Sequence, residues 1–363
     1  MPLGGRATIR HPIWLGLVAA TVAVAGCASV DHAAPPAPGV AAVASPAITA
    51  SRDGHTVAYA LAATKWTTVA LPHRPADGQS VAAHGHDIYA AIHGANGITL
   101  EASHDGGQSW QRRPVAGTSD PGTVDVALSP DGTRLAIVLD HPGAAGAVGQ
   151  AAVLLGEAKG GAFTSHDAPA GGRVTWWNGR LALSGGALSS RLYVSDPKAA
   201  AWTPVAVGGP VAPLRNVEPG AASIGAPIRQ PDGSLLVPVT NHAGSPSVAL
   251  FATTDGSTFR KVAAIALSGE LGAGTSAPVA ELPDGTVFVA DPNTARLHVV
   301  RGSAQSSFVP RGLPAPPSTM TFATATMGIA QVDTANCASG KTGCTIRSEV
   351  YATTDSGKSW ERS

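Results

Sequence analysis

The stretch that decides the fold is Ser103-His104-Asp105-Gly106-Gly107-Gln108-Ser109-Trp110, which has the pattern S-x-D-x-G-x-S-W. The pattern returns at the carboxyl end of the chain in residues 353–360, with the sequence TTDSGKSW. A third copy, one residue shorter, is TTDGSTF in residues 253–259. Each copy follows a strand-like apolar run. The three aspartates are separated by multiples of about fifty residues, which is the length of one blade of a β-propeller.

The residue types in these copies predict a tight turn between two strands. A Ser or Thr hydroxyl and an Asp carboxylate two residues apart can accept hydrogen bonds from the free N–H groups of a turn. A glycine supplies positive φ without a Cβ clash, and the closing aromatic residue buries a large apolar surface in the next strand. The turn residues are Ser103, Asp105, Gly107 and Trp110 in the first copy, Thr353, Asp355, Gly357 and Trp360 in the copy at the carboxyl end, and Thr253, Asp255 and Phe259 in the short copy.

The three copies resemble the Asp-box, or BNR repeat, of sialidases, sortilin-type receptors and a photosystem II assembly factor. All of these are built as β-propellers. The resemblance implies that the Asp-box is a structural turn at the rim of the propeller, away from the active face. We therefore expect Asp105 and Asp355 to have structural roles.

A longer repeat runs through the chain and predicts an all-β fold. Units of four short apolar strands with Asp-Gly or Asn-Gly turns each end in an aromatic residue. These residues fall at positions 110, 163, 202, 259, 308 and 360, about fifty residues apart. Trp66 fits one step earlier, but its unit is too short for four strands. We expect a single propeller of four-stranded blades, seven in number, with six as the alternative; a β-helix is disfavoured because its repeats are much shorter.

The composition agrees with many short strands joined by tight turns. The chain has 43 glycines and 29 prolines among its 363 residues, and only 13% of the residues are charged. The formal net charge is zero, and no basic run indicates nucleic-acid binding. No P-loop, GxSxG or GxGxxG motif follows a strand, so we expect no cofactor. We expect a monomer.

The amino-terminal segment predicts export and lipidation. Arg6 and Arg10 precede an apolar stretch that is short for a membrane span. It ends in Val24-Ala25-Gly26-Cys27, which resembles a bacterial lipobox, and this resemblance implies a diacylglycerol on Cys27. The alternative is an ordinary secretory leader with an incidental cysteine. We expect a signal peptide in residues 1–26, an Ala/Pro-rich tether in 27–47 and the propeller in 48–363, anchored at the outer face of the bacterial cell membrane.

The cysteine count fits this location. With Cys27 lipidated, Cys337 and Cys344 remain, separated by a short loop. Two cysteines across the end of a hairpin can form a disulfide in an oxidising compartment. Two cysteines without nearby His or Cys partners do not make a metal site.

The resemblance to sialidases raises a catalytic hypothesis. Those enzymes use three arginines to hold a carboxylate, a Tyr–Glu pair as nucleophile and activator, and an Asp as acid/base. The weak candidates here are Arg215, Glu218 and Asp53. Other arginines near strand ends are Arg52, Arg74, Arg229, Arg296 and Arg347, and the tyrosines are Tyr59, Tyr89, Tyr193 and Tyr351. The Arg-Ile-Pro motif that opens sialidases is missing from the amino-terminal third, which weakens the hypothesis.

Two further groups of residues attract attention. His84 and His86 could place two imidazoles on one face of a strand, but a metal site would need a third ligand, and we expect none. Trp176 and Trp177 must point to opposite sides of a strand. One ring could stack on a sugar or peptide, although burial of both between blades is favoured.

Two functional hypotheses follow. The first is a lipid-anchored propeller that binds a surface protein, a peptide or a glycan through the loops at one face. The alternative is a divergent sialidase-type glycoside hydrolase. The lack of a complete catalytic set favours the first, which rests partly on analogy between folds.

Overall fold

The computed structural model describes residues 47–52, 55–62, 65–70, 78–94, 97–115, 123–141, 150–185, 191–207, 221–242, 244–272, 274–337 and 344–363. These residues form twenty-eight β-strands and no helix, so the expected all-β class is confirmed. In the described ranges, no helix has the length and hydropathy needed to cross a membrane.

The strands form antiparallel sheets whose members follow one another along the chain. The first, the short sheet, contains β1 (Ala47–Arg52), β2 (His55–Ala62) and β3 (Lys65–Ala70). Blade 1 contains β4 (Gly78–His84), β5 (Asp87–Gly94), β6 (Gly97–Ser103) and β7 (Gln111–Val115). Blade 2 contains β8 (Thr123–Leu128), β9 (Arg134–His141), β10 (Gln150–Glu157) and β11 (Gly160–Ala168). Blade 3 contains β12 (Gly172–Trp177), β13 (Arg180–Gly185), β14 (Arg191–Ser195) and β15 (Trp202–Val205).

Blade 4 has an interrupted inner strand, because β16 and β17 both pair with β18. Its strands are β16 (Ala222–Ile224), β17 (Ile228–Arg229), β18 (Leu235–Asn241), β19 (Ser247–Thr253) and β20 (Arg260–Ala266). Blade 5 contains β21 (Val279–Glu281), β22 (Val287–Ala290), β23 (Leu297–Arg301) and β24 (Ala304–Phe308). Blade 6 contains β25 (Thr319–Phe322), β26 (Gly328–Cys337), β27 (Cys344–Thr353) and β28 (Glu361–Arg362).

The molecule is therefore a single β-propeller with six blades of four strands. The preferred count of seven such blades is wrong, and the alternative count of six is confirmed. The physical reason lies in the first unit, where the segment from 47 to 70 provides only the three strands of the short sheet. In this sheet β1 lies between β4 of blade 1 and β27 of blade 6. All four strands of blade 6 come from consecutive segments of the chain. In the described residues, the amino-terminal part therefore does not close the ring by adding a strand to blade 6.

The core consists of apolar layers between neighbouring blades. Five buried clusters fill the five interfaces from blade 1/blade 2 to blade 5/blade 6. Successive side chains of a strand point to opposite faces, so one strand serves two layers. Trp176 packs in the layer between blades 2 and 3, and Trp177 packs in the layer between blades 3 and 4. Both are nearly inaccessible to solvent, so the favoured burial of both rings is confirmed.

The two ends of the ring differ in the connections that they carry. The turns between the first and second strands of a blade, and between its third and fourth strands, lie at one end, which we call the turn face. The connections between the second and third strands, and from blade to blade, lie at the other end, which we call the connection face. This follows from the antiparallel order of the strands in every sheet.

Candidate functional site

The Asp-box copies are turns on the turn face, each between the third and fourth strands of a blade. In the first copy, Ser103 Oγ donates to Asp105 Oδ1 over 2.8 Å and accepts a hydrogen bond from the Gly107 amide over 2.7 Å. The other side of the Asp105 carboxylate is filled by Ser109, whose amide and hydroxyl donate to Oδ1 and Oδ2 over 2.9 and 2.6 Å. These bonds, with the Ser109 hydroxyl contributing most, lower the pKa of Asp105.

The second complete copy repeats this arrangement atom for atom. Thr353 Oγ1 donates to Asp355 Oδ1 over 2.9 Å and accepts from the Gly357 amide over 3.0 Å. The Ser359 amide and hydroxyl donate to the same carboxylate over 2.9 and 2.6 Å. Trp360 is buried, and its indole N–H donates to the Gly357 carbonyl oxygen. The short copy keeps the link from Thr253 to Asp255 at 3.0 Å. Asp105 and Asp355 thus have both carboxylate oxygens occupied by the turn itself, and Asp255 has its Oδ1 occupied in the same way.

The weak catalytic candidates Asp53, Arg215 and Glu218 lie outside the described residues, as does the lipidation candidate Cys27. Two other arginines can be placed. Arg229 ends β17 beside the turn to β18, on the turn face. Arg296 precedes β23 on the connection face and donates to Ser307 Oγ of the outer strand over 3.1 Å. Because they lie at opposite ends of the ring, these two arginines cannot hold one carboxylate.

The tyrosines with described side chains are packing residues. Tyr89, Tyr193 and Tyr351 are all buried. Tyr351 has the neighbour that a sialidase mechanism requires, since its hydroxyl donates to Glu349 Oε2 over 2.9 Å. However, burial, followed by the hydrogen bond to Glu349, raises the pKa of Tyr351, which is the wrong direction for a nucleophile.

The two arginines beside Glu349 are already engaged. Arg347 and Arg362 both bind Glu349 Oε1, at 2.9 and 3.1 Å. Arg362 belongs to the outer strand β28, so this cluster lies toward the rim of blade 6. The sequence pattern did not indicate the cluster, because Arg362 comes from a neighbouring strand.

Three histidines of blade 1, His84, His86 and His104, lie on the turn face. His104 Nδ1 lies 2.8 Å from Asp87 Oδ1, and Lys159 of blade 2 binds Asp87 Oδ2 at 2.9 Å. The ring of His84 lies close to Gly132 of blade 2, where a Cβ would come within 2.7 Å of it. Within the described part of the chain, no three His, Cys, Asp or Glu side chains are arranged to hold a metal ion. These contacts join blades 1 and 2.

The inner strands of blades 1, 2 and 3 share one polar group. Asp125 of β8 is 3% exposed and accepts hydrogen bonds through both oxygens, from Ser80 Oγ of β4 over 2.9 Å and from the Val174 amide of β12 over 2.8 Å. Arg173 of β12 lies 3.6 Å from Asp125 Oδ1, and a quarter of its side chain is exposed. We call Ser80, Asp125 and Arg173 the axial group.

Burial raises the pKa of Asp125 to about 6, although Arg173 and the hydrogen bonds from Val174 and Ser80 oppose the rise. A buried ionisable group with a perturbed pKa is a common feature of functional sites and also of structural networks. In this case Ser80, Val174 and Arg173 all bind the carboxylate, so the axial group joins blades 1, 2 and 3. Asp125 was not among the residues predicted from the sequence, although a single carboxylate inside the apolar run Thr123–Leu128 indicates a buried polar group.

A half-buried carboxylate with a raised pKa, that of Glu281, lies on the turn face. Glu281 Oε1 accepts a hydrogen bond from Gln230 Nε2 of blade 4 over 3.0 Å. Burial raises the pKa of Glu281 to about 7, and the negative charges of Asp232 and Asp284 add to the rise. Such a carboxyl group could donate a proton near neutral pH. Glu281 lies on the turn face, whereas Arg296 lies on the connection face.

The comparisons with known proteins agree with the fold. No family model matches the chain, and no curated protein matches it. An oligogalacturonate lyase in complex with manganese superposes with a TM-score of 0.52 at 12% identity, covering 83% of this chain and 86% of that one. The β-propeller domain of Cps50 (Swd1) from Myceliophteria thermophila has a TM-score of 0.50 at 13% identity, covering 78% and 88%. YCF48 from Cyanidioschyzon merolae has a TM-score of 0.47 at 14% identity, covering 77% and 81%. At these identities the likeness concerns the fold alone.

Proposed function

We propose that this chain is a lipid-anchored, extracytoplasmic β-propeller that acts as a binding or scaffold module for a surface protein, a peptide or a glycan. The observation that carries the proposal is the placement of Arg229 and Arg296 at opposite faces of the ring. The charged groups that meet between blades, such as Asp125 with Arg173, are bound to one another. These contacts hold neighbouring blades together, and the exposed outer strands remain available to bind a partner.

The proposed anchor is tested at Cys27. Replacing Cys27 with serine removes the sulfur that would carry diacylglycerol, so we expect the variant to be absent from the washed membrane fraction of a bacterial host. Labelling with an alkyne analogue of palmitate should mark the unaltered chain and leave the variant unlabelled. Equal labelling of both chains would contradict lipidation at this position. A Cys344→Ser variant serves as the control, because it should keep both the label and the membrane location.

The proposed disulfide has support from the backbone. The register of β26 and β27 places Cys337 directly opposite Cys344. A bridge across this hairpin end would close a small loop and stabilise the protein by about 2 kcal/mol, at the low end of the usual range. Intact-mass measurement of exported protein should show two fewer hydrogen atoms than the reduced chain. Free thiols at both positions after export would contradict the proposal.

The sialidase-type alternative has one specific observation in its favour, the contact between Tyr351 and Glu349. We test it with the unlipidated chain, made with Cys27 replaced by serine, and fluorogenic sialosides. We expect no release of fluorophore above the buffer rate, because Arg347 and Arg362 are occupied by Glu349. Turnover that disappears in Glu349→Gln or in Glu218→Ala would establish the alternative and overturn the binding proposal.

A further inference from the structure

A small pocket lies between blades 4 and 5, beside the outer strand of each blade. Its volume is about 240 Å³, and we call it the rim pocket. Ile265 of β20 lines it from blade 4, and the residues that line it from β23 and β24 of blade 5 are His298, Val299, Gln305, Ser306 and Ser307. A cavity of about 150 Å³ holds benzene, so the rim pocket can hold a six-membered ring with its substituents.

The strand register shows which side chains face the pocket. β23 and β24 pair with His298 opposite Ser307 and with Val300 opposite Gln305. Because side chains alternate along a strand, all four lie on one face of blade 5. Val300 packs in the apolar layer between blades 4 and 5, and so does Ile265. The face that carries Gln305 and Ser307 is therefore turned toward blade 4 and the pocket.

The outer wall of the pocket is polar, and its inner wall is apolar. Gln305 and Ser307 are exposed, whereas Ile265 is buried. The two polar residues are two positions apart along β24, or about 7 Å, which is comparable to the width of a sugar ring with its hydroxyl groups. An amide side chain and a hydroxyl both donate and accept hydrogen bonds. These walls suit the hydroxyl and C–H groups of a sugar better than a purely apolar side chain.

Arg296 supplies a positive charge at the end of the pocket that lies toward the connection face. Its Nη1 donates over 3.1 Å to Ser307 Oγ, so the guanidinium adjoins the pocket, and Ser307 can still donate its own proton. None of the ion pairs between described residues involves Arg296. A guanidinium carries five N–H groups and can bind a carboxylate through two of them. Arg296 is therefore available to a ligand carboxylate.

Two neighbouring titratable groups leave this charge in place. Burial lowers the pKa of His298, Asp291 opposes this change and Arg296 adds to it, so the imidazole is neutral at neutral pH. Asp291 is buried, and its two oxygens accept hydrogen bonds from the amides of Ser268 and Asn293. No acidic side chain is among the described residues that line the pocket.

We propose that the rim pocket binds one uronate unit of an acidic glycan. The carboxylate lies on Arg296, the ring hydroxyls bond to Gln305 and Ser307, and the C–H groups of the ring contact Ile265. The carboxylate of a uronate is attached directly to the ring, so one unit reaches Arg296 and β24 together. The outer wall is exposed, so the rest of the glycan can extend into solvent. This inference rests on the proposed binding function and names the class of its ligand.

The test uses two sugars that differ only at C6, methyl glucuronide and methyl glucoside. They are titrated into the ¹⁵N-labelled unlipidated chain, made with Cys27 replaced by serine. We expect the glucuronide to bind about tenfold more tightly, because a charge-assisted hydrogen bond contributes more than a neutral one. The preference should shrink at 1 M salt, and the amide shifts should map to β23 and β24. Methyl mannuronide and methyl mannoside form a second pair, so that the orientation of one hydroxyl does not decide the outcome.

Two variants locate the carboxylate. Arg296→Gln should abolish the preference for the charged sugar, and it leaves no buried group unpaired, because Ser307 is exposed. Arg301→Gln is the matched control: this arginine lies at the other end of β23, is paired with Asp284, and should not affect the preference. Gln305→Glu keeps the shape of the side chain and adds a negative charge. It should weaken glucuronide binding about tenfold and change glucoside binding little.

The proposal would be overturned by equal affinity for the charged and neutral sugars in both pairs, or by shifts that map outside blades 4 and 5. An unchanged preference in Arg296→Gln would overturn it as well. Inorganic phosphate that binds as tightly as the glucuronide would assign the pocket to simple anions and refute the sugar. Failure of the binding function is distinguishable from these outcomes. A surface partner cross-linked equally by the unaltered chain, Arg296→Gln and Gln305→Glu would refute the rim pocket while supporting a binding module.

Discussion

Replacing Asp125 with asparagine should remove a pH-dependent loss of stability of about 3 kcal/mol that the unaltered protein undergoes between pH 4 and pH 7. The pKa of Asp125 rises from 3.8 to about 6 on folding, because burial penalises its ionised form. One pKa unit corresponds to about 1.4 kcal/mol, which gives the expected magnitude. Asparagine has nearly the same shape and does not ionise.

The sign follows from proton binding. Between the unfolded and folded pKa values the folded protein binds more protons than the unfolded chain. The contribution of Asp125 is therefore fully present below pH 4 and is lost as the pH rises through about 6. The free energy of unfolding of the Asn variant should rise relative to the unaltered protein over this window. Other carboxylates cancel in the difference, which urea unfolding at several pH values would measure.

Two further variants define the effect. Asp196→Asn is a control of opposite sign, because the hydrogen bond from the Ala201 amide lowers the pKa of Asp196. Asp125→Ala leaves the Ser80 hydroxyl and the Val174 amide without their acceptor, so it should cost about 2–4 kcal/mol near pH 4. If the unaltered protein and Asp125→Asn keep a constant difference from pH 4 to pH 7, the carboxylate does not titrate as described.

Gly107→Ala should destabilise the protein by about 3 kcal/mol, while Gly106→Ala should cost only about 1 kcal/mol. Both glycines have positive φ, 72° for Gly106 and 90° for Gly107, so the backbone strain of an alanine is shared. At Gly107, however, the new Cβ would lie 2.1 Å from Val69 Cγ1, whereas at Gly106 the nearest atom is 3.5 Å away. The difference between the two variants therefore measures the contact of the Asp-box turn with the short sheet.

A double-mutant cycle separates the clash from the strain. Val69→Ala removes the methyl groups that the new Cβ would meet, so Gly107→Ala should cost less in that background, near the cost of Gly106→Ala. Urea unfolding of the four proteins provides the free energies. The contact between the turn and β3 would be refuted if Gly106→Ala and Gly107→Ala lowered the free energy of unfolding equally. Strict additivity of the changes caused by Gly107→Ala and Val69→Ala would refute it as well.

Much of the local structure was predictable because its causes are local. The apolar runs of residues 87–94 (DIYAAIHG) and 150–157 (QAAVLLGE), which belong to the repeated short strands, form β5 and β10. The bonds from Ser103 to Asp105 and from Thr353 to Asp355 join residues two apart, so the spacing in the sequence already contained them. The burial of Trp176 and Trp177 followed from alternation along one strand.

The blade count and the candidate sites were harder to predict from the sequence, because they depend on which distant segments of the chain come into contact. The pattern at Trp66 matched a blade, but the described part of its unit, between residues 47 and 70, contains only three strands. Asp125 accepts hydrogen bonds from Ser80, which is forty-five residues away in the chain, and from Val174, which is forty-nine residues away. The guanidinium of Arg113 in blade 1 stacks on Phe163 in blade 2, so neither repeat alone shows this contact.

The sequence by itself determined the strands, their turns and the propeller class, since hydrophobic alternation and turn chemistry act over a few residues. Only the tertiary structure decided that six blades have four strands, that Arg229 and Arg296 lie at opposite faces, and that Asp125 is buried at a seam of three blades. These features arise from packing one blade against the next, and the energy of such contacts depends on residues that are distant in the chain.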